Sequence, residues 1–395
     1  MSEVLIVGAR RTAIGSFQGQ FSPVSAVDLG AAAIRAAVEH AAVDVDDIDE
    51  TIMGCVLAAG LGQAPARQAA IAAGIPVSAG SMTINKVCGS GLKAVMLAHD
   101  CIKAGSASVV IAGGMESMSN APYLLPKARG GMRMGHGEVL DHMFWDGLQS
   151  PYDKEMMGIF GEMCADKYGF SREEMDAFAT ASVERAQRAM ADGDFSDEIT
   201  PVTVQTRKGE VVCDADEEPP RCDVSKIPNL KPAFKKDGGI TAANSSKISD
   251  GAAAIIVASA EAADRLGLTP LARIVAHATH SHEPEWFTTA PSTAIADVMK
   301  KAGWSVDDVD LFEINEAFAS VAMAAMKDNG IPHDKVNVNG GACALGHPIG
   351  ASGARLLVTL LHALRKRGPK SGPTRGVASL CLGGGEAVAV AVELI

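Results

Sequence analysis

No two of the eight cysteines fall into a C-x-x-C spacing; they stand apart at positions 55, 88, 101, 164, 213, 222, 343 and 381. This spacing indicates neither a zinc ribbon nor a disulfide framework, so each thiol is read by itself. Cations are also few. Lys and Arg number 35 against 47 Asp and Glu, a net charge of −12, which disfavours a nucleic-acid or acidic-membrane partner and requires any anionic ligand to meet a local basic patch. Uncharged apolar runs stay short of the roughly 18 residues of a membrane span. The strand-like Val4-Leu5-Ile6-Val7 start lacks the basic and apolar regions of a signal peptide, so the expectation is a cytoplasmic chain. Aromatics make up 4%, against 41 glycines and many Ala runs, which points to helices and strands in close backbone approach. With 47% apolar and 21% charged residues, disorder, collagen and coiled coil are excluded, and 395 residues predict two or three units.

One half of the sequence echoes the other. Ala42-Val43-Asp44-Val45-Asp46-Asp47-Ile48-Asp49 recurs as Gly303-Trp304-Ser305-Val306-Asp307-Asp308-Val309-Asp310, each after an amphipathic helical stretch, 28–41 and 293–302. Ser90-Gly91-Leu92-Lys93 recurs as Ser352-Gly353-Ala354-Arg355, each opening an apolar helix that leads to a strand ending in glycines, 108–114 and 377–384. These matches share order and nearly one offset. They predict a duplicated β-α-β-α-β unit, with parallel strands and helices in layers. Residues 118–248 differ, being rich in Met, Pro and charge runs, and read as an insertion on the first unit, with a capping box at Ser171 opening a helix through Met190. The expected division is 1–117 completed by 249–268, then 118–248, then 269–395.

Four places carry candidate chemistry. In Asn85-Lys86-Val87-Cys88-Gly89-Ser90-Gly91 the cysteine sits at a strand-to-helix junction, where backbone N–H groups and the helix dipole favour a thiolate. The overlapping Gly89-Ser90-Gly91-Leu92-Lys93-Ala94 mimics a dinucleotide fingerprint, but no acidic residue closes a strand about 20 residues on, which argues against an NAD-dependent dehydrogenase. The glycine-dense loop Asn339 to Gly353 holds His347 near the start of the second repeat's helix. If the repeats face each other, it can take a proton from Cys88. Cys381 ends a strand before Gly383, Gly384 and Gly385, the sheet edge where α/β proteins bind ligands. Asn315, in Glu313-Ile314-Asn315-Glu316, can donate a hydrogen bond or hold a water. His277, His280 and His282 have no carboxylate or cysteine at ligand spacing, so no metal is assigned, and Asp214 to Glu218 reads as a solvated loop.

Together, C-G-S-G at 88–91, N-E-A-F at 315–318, G-H-P-I-G at 346–350 and C-L-G-G-G at 381–385 resemble the thiolase family of acyl-CoA acyltransferases over the whole chain. The resemblance implies an α/β, five-layered α-β-α-β-α fold with an inserted loop domain, as a homodimer or homotetramer. It implies Cys88 as the acylated nucleophile, His347 as its base and Cys381 as the acid/base for the second acetyl-CoA. It also implies oxyanion sites from His347 with a water on Asn315, and from the N–H groups of Cys88 and Gly383. Coenzyme A and acyl-CoA would be substrates, with no permanent cofactor. Arg221, Ser246, Leu148 and Met156 would face them, helped by Lys226, Lys231, Lys235 and Lys236, and Phe287 would stand with Met156 at the acyl pocket. The implied reaction joins two acetyl-CoA into acetoacetyl-CoA and CoA. The alternative is a broader 3-ketoacyl-CoA thiolase of fatty-acid β-oxidation, since Met156-Met157-Gly158 stands where short-chain members commonly carry His-Met-Gly. A non-catalytic CoA-binding scaffold would be expected to lack one of Cys88, His347 and Cys381, and all three are present.

Overall fold

The computed structural model describes residues 3–367 and 374–395. Nine strands carry the frame: β1 (Val4–Thr12), β2 (Glu50–Gly54), β3 (Gly80–Ile84), β4 (Val109–Ser117), β5 (Ser249–Ser259), β6 (Ala272–Ser281), β7 (Leu311–Ile314), β8 (Arg375–Leu382) and β9 (Glu386–Leu394). The first half runs β3-β2-β4-β5-β1 and the second β7-β8-β9-β6. In each half the outer strands pair in parallel and the inner ones antiparallel. The place of β3 is taken in the second half by a single parallel bridge between Phe312 and Val336. The two orders therefore superimpose, and the duplication predicted from the offset is seen in the topology. The halves join through β1 and β6, at Leu5 with Arg273 and Ile6 with Ala272.

Helices α1 (Ala26–Ala41) and α2 (Pro65–Ala72) cover the outer face of the first half, where Ile34, Ala37 and Ala69 share a core with Ile111 and Ile256. Between the halves lie α3 (Ser90–Ala104) and an apolar helix spanning Ser352–Arg367; Leu92, Val95, Leu357 and Leu361 pack there with Ile255, Leu380 and Val390. The outer face of the second half is covered by two helices, Ala290–Ala302 and Ala319–Asn329, through Ile295, Val298 and Val321. The result is five layers. Burial drives it: all eleven residues of β5 are buried, and each such Ile or Val contributes about 1.5–3 kcal/mol.

The two inner helices cross at their first turns, where small residues are compulsory. A Cβ on Gly91 would stand 2.8 Å from the Ala354 nitrogen, and one on Gly353 would stand 2.4 Å from the Leu92 nitrogen. These glycines are one position of the repeat seen twice, so the helix starts converge as expected.

The insertion leaves β4 and returns at β5. Its helices are α4 (Met157–Tyr168) and α5 (Arg172–Ala191), the latter opened by the capping box of Ser171 and Glu174. One expectation fails here. Asp216 is buried and accepts two hydrogen bonds from Arg11 at 2.7 and 2.9 Å, while Glu217 accepts from the Ser16 and Gln20 amides. The acidic run is therefore an anchor rather than a solvated loop, because Arg11 is fully buried and its charge needs partners that Asp216 and Glu198 supply.

Candidate active site

Residues 86–89 form a tight turn leading from β3 into α3. Ser90 Oγ accepts from the Lys86 amide at 2.8 Å and donates to the Val87 carbonyl at 2.6 Å, and the Gly89 amide closes the turn on the Lys86 carbonyl. Within it Val87 has φ of +45°, a left-handed backbone that a β-branched residue adopts only when its surroundings enforce it. Gly89 packs so closely on the β8–β9 hairpin that a Cβ there would meet Leu382. Cys88 precedes the N-cap Gly89 and is half-buried. Contrary to the thiolate expectation, burial pushes its thiol up to about 11, although the amides of Gly383 and of Cys88 itself pull the other way. In this state the sulfur holds its proton and needs a base.

His347 is buried in the loop before the Ser352–Arg367 helix. Ser352 Oγ donates to the Pro348 carbonyl at 2.8 Å, so its contact with His347 Nδ1 at 2.5 Å has the ring N–H as donor. That leaves Nε2 unprotonated, accepting from the Asn315 side-chain amide at 3.4 Å. Burial, then the charge of Arg355, lowers the imidazole pKa to about 3, so the ring is neutral at neutral pH. Asn315 Oδ1 is buried without a protein partner, as befits a group that holds a water. The loop is held by Glu116 at the end of β4, whose carboxylate accepts from the amides of Gly350, Val56 and Leu57 at 2.8, 3.1 and 3.0 Å.

Cys381, in β8, is fully buried. Its thiol is pushed well above the usual range by burial and by the charge Cys88 would carry, which places the two sulfurs in electrostatic reach. Gly383 opens the turn that follows and lines a smaller cavity of about 300 Å³ with Val87 and Met157.

The larger cavity, about 500 Å³, has His347 and Ile349 on its wall, with Met118, Leu148, Met156, Met157, Phe234 and Phe318 as further apolar lining. Ser246 and Arg221 line it as well. Of the five cations singled out, only Arg221 is on this wall; Lys226 and Lys235 face Asp223 and Asp166 instead. Lys247 does line it, directly after the Ser245-Ser246 pair whose position in the sequence could have pointed to it. Phe287 lies in neither cavity wall; it is buried edge-on against Phe160 in the second-half core. Sequence reasoning also missed Ser352 and Glu116, because both act on the loop backbone or ring and carry no motif. The histidines at 277, 280 and 282 lie away from these cavities. His277 bonds Asp100 at 2.9 Å on α3, beside His99, a carboxylate that sequence spacing could not supply.

The thiolase N-terminal domain profile matches residues 4–261 and the thiolase C-terminal domain profile residues 268–394. The chain belongs to the thiolase family. It is 50% identical over 392 residues to the acetyl-CoA acetyltransferase of Pseudomonas aeruginosa, covering 99% of both chains. Against the acetyl-CoA acetyltransferase of Chromobacterium violaceum it is 52% identical over 393 residues, again covering 99% of each. The Acat5 thiolase from Ascaris suum, solved in complex with coenzyme A, superimposes with a TM-score of 0.94 at 42% identity over 100% of both chains. The five layers are thus those of a thiolase. Among the described residues, no helix of this thiolase is long and apolar enough to cross a membrane.

Proposed function

We propose that this thiolase is an acetyl-CoA C-acetyltransferase, joining two acetyl-CoA into acetoacetyl-CoA and CoA, or running the reverse. The observation that carries the reading is the unprotonated Nε2 of a neutral His347 at the wall of an apolar cavity that Arg221 and Lys247 also line. The names of the full-length relatives support the substrate.

In this reading Cys88 gives its proton to His347 Nε2 as its sulfur attacks the thioester, and the leaving CoA thiolate takes the proton of Cys381. The tetrahedral oxyanion forms against the amides of Cys88 and Gly383, where each lost donor costs about 3 kcal/mol. Cys381, now a thiolate, takes the α-proton of the second acetyl-CoA; the resulting enolate, held by the His347 Nε2–H and a water on Asn315, attacks the acyl group on Cys88, whose sulfur leaves and takes its proton back from His347. Burial holds Cys381 as a thiol until the leaving thiolate takes its proton, and acylated Cys88, a neutral thioester, adds no charge against that ionisation.

Coenzyme A lies along the larger cavity, between Met156–Gly158 and Ser245–Lys247 of the insertion, with Arg221 and Lys247 toward its phosphates. No permanent cofactor enters any of these steps. A second copy completes a homodimer or homotetramer; the open edge of β3, with Met82 exposed, and the exposed Tyr123, Leu125, Met132 and Met134 support an assembly. A cytoplasmic setting fits eight free thiols. The test is CoA-dependent cleavage of 3-ketoacyl-CoAs of increasing length by purified protein. The four-carbon substrate is expected to be best, and equal kcat/KM at four and ten carbons would favour the β-oxidation alternative.

A further inference from the structure

The turn before Cys88 and the turn after Cys381 are tied together by charge. Lys86 Nζ meets Glu386 Oε2 at 2.6 Å, and Ser281 Oγ donates to the other carboxylate oxygen at 2.9 Å. Lys86 stands two residues before Cys88, and Glu386 stands three after Gly383, at the first position of β9. We propose that the Lys86–Glu386 ion pair is a positioning device that fixes the Cys88 amide and sulfur against the Gly383 amide. This deepens the reading above and rests on it.

Three observations converge on the pair. The first is the strained Val87 between Lys86 and Cys88: Ser90 Oγ bonds the backbone on both sides of it, and the Lys86 side chain ties that braced turn to the β8–β9 hairpin through Glu386. The second is the flexibility of the opposite turn. Gly384 and Gly385 have φ of +95° and +90°, so the Gly383 amide sits on a stretch with little stiffness of its own. It is pinned at its far end by the His282 amide on the Gly385 carbonyl at 2.8 Å, and by Glu386 to the Cys88 turn. The third is electrostatic. Partial burial works against a charge on Glu386, yet the Lys86 and Ser281 contacts hold its carboxyl below the usual range, so Glu386 is a carboxylate at neutral pH.

Two amides converging on one oxygen tolerate little misalignment, because their effect depends on where they point in the transition state. A half-exposed ion pair, by contrast, contributes little to global stability. Turnover is therefore the sensitive quantity. Neither Lys86 nor Glu386 lines the larger cavity, so substrate affinity is spared.

The experiment compares wild type with Glu386→Gln, Lys86→Glu, Lys86→Arg and the swap Lys86→Glu with Glu386→Lys, at low ionic strength. Two readouts are taken: steady-state thiolysis of acetoacetyl-CoA, and the rate of Cys88 alkylation by iodoacetamide followed by mass spectrometry. Glu386→Gln is expected to lower kcat by roughly 5- to 30-fold with KM within about twofold, and to slow Cys88 alkylation by about threefold or more. Lys86→Glu is expected to fall further, Lys86→Arg to stay near wild type, and the swap to recover most of the loss. Melting temperatures within about 3 °C of wild type identify these as effects on the site rather than on folding. Unchanged kcat and alkylation in Glu386→Gln, or a swap no better than its single variants, would overturn the proposal. A wild type inactive on acetoacetyl-CoA sinks the acetyl-CoA C-acetyltransferase reading instead, and the alkylation rates still judge the pairing.

Discussion

The two repeats bring the same backbone to the same place and put different chemistry on it. Both inner helices begin at Ser-Gly, and both use that glycine to pass the other helix. Before the first stands a half-buried thiol in a turn strained at Val87. Before the second stands a buried imidazole whose tautomer is fixed by Ser352, in a loop braced by Glu116. Duplication thus supplies convergence, and divergence of the residues just upstream puts a thiol on one side and an imidazole on the other, which the proposed mechanism uses as nucleophile and base. A symmetric site could not do this, since two thiols or two imidazoles would face each other.

The comparison breaks most completely at the nucleophile. Cys88→Ala is expected to abolish both acyl transfer and condensation, a loss of at least about 10⁴-fold, measured as labelling by radioactive acetyl-CoA and as acetoacetyl-CoA formation. Cys381→Ala separates the two steps. Labelling of Cys88 persists, because its base and amides are intact, while condensation falls by roughly 10²- to 10⁴-fold. A variant that condenses at near wild-type rate would show that another group takes the α-proton.

The shared backbone is tested by adding one methyl to each side of the crossing. Gly353→Ala is expected to destabilise by about 1–3 kcal/mol in denaturant unfolding, and Gly91→Ala by less, because the first Cβ meets backbone at 2.4 Å and the second at 2.8 Å. Equal melting curves for wild type and Gly353→Ala would mean that the helices separate easily.

The smallest expected effect concerns pH. With the folded His347 lowered to about 3 and an unfolded histidine near 6.5, the folded chain binds fewer protons between those values. Stability therefore falls as pH drops through that window, and this one residue accounts for about 1 kcal/mol between pH 6.5 and 5.5. His347→Asn should flatten the curve by that amount. Activity follows the same logic: the base stays neutral well below pH 6, so protonation of His347 does not set an acid limb of kcat/KM near neutrality.

How much of this was legible depends on whether a feature repeats or is made by contact. The duplication, the layers and the convergence of the two inner helix starts followed from the offset of matching segments, because a repeated pattern must fold alike. Ser246 and Arg221 were legible only through resemblance. The protonated state of Cys88 was not legible, since a helix start argues for a thiolate and the opposing desolvation depends on what the hairpin of β8 and β9 covers. Phe287 was misplaced for a related reason: an aromatic near a pocket in sequence order packs wherever its strand and helix leave room, here against Phe160. Asp216 likewise looked like one more surface acid until its partner, eleven residues from the start, folded over it.

That last contact limits what can be exchanged between relatives. Arg11 sits on the first strand, Asp216 in the inserted segment, and Glu198, which also accepts from Thr359 of an inner helix, ties in the second repeat. A loop segment transplanted from a homologue without a matching acid would leave a buried guanidinium short of countercharge, at a cost of about 3–5 kcal/mol. Grafting to change substrate range in this protein therefore has to carry the cation and both acids as one inheritable block, even though none of the three touches the cavity being redesigned.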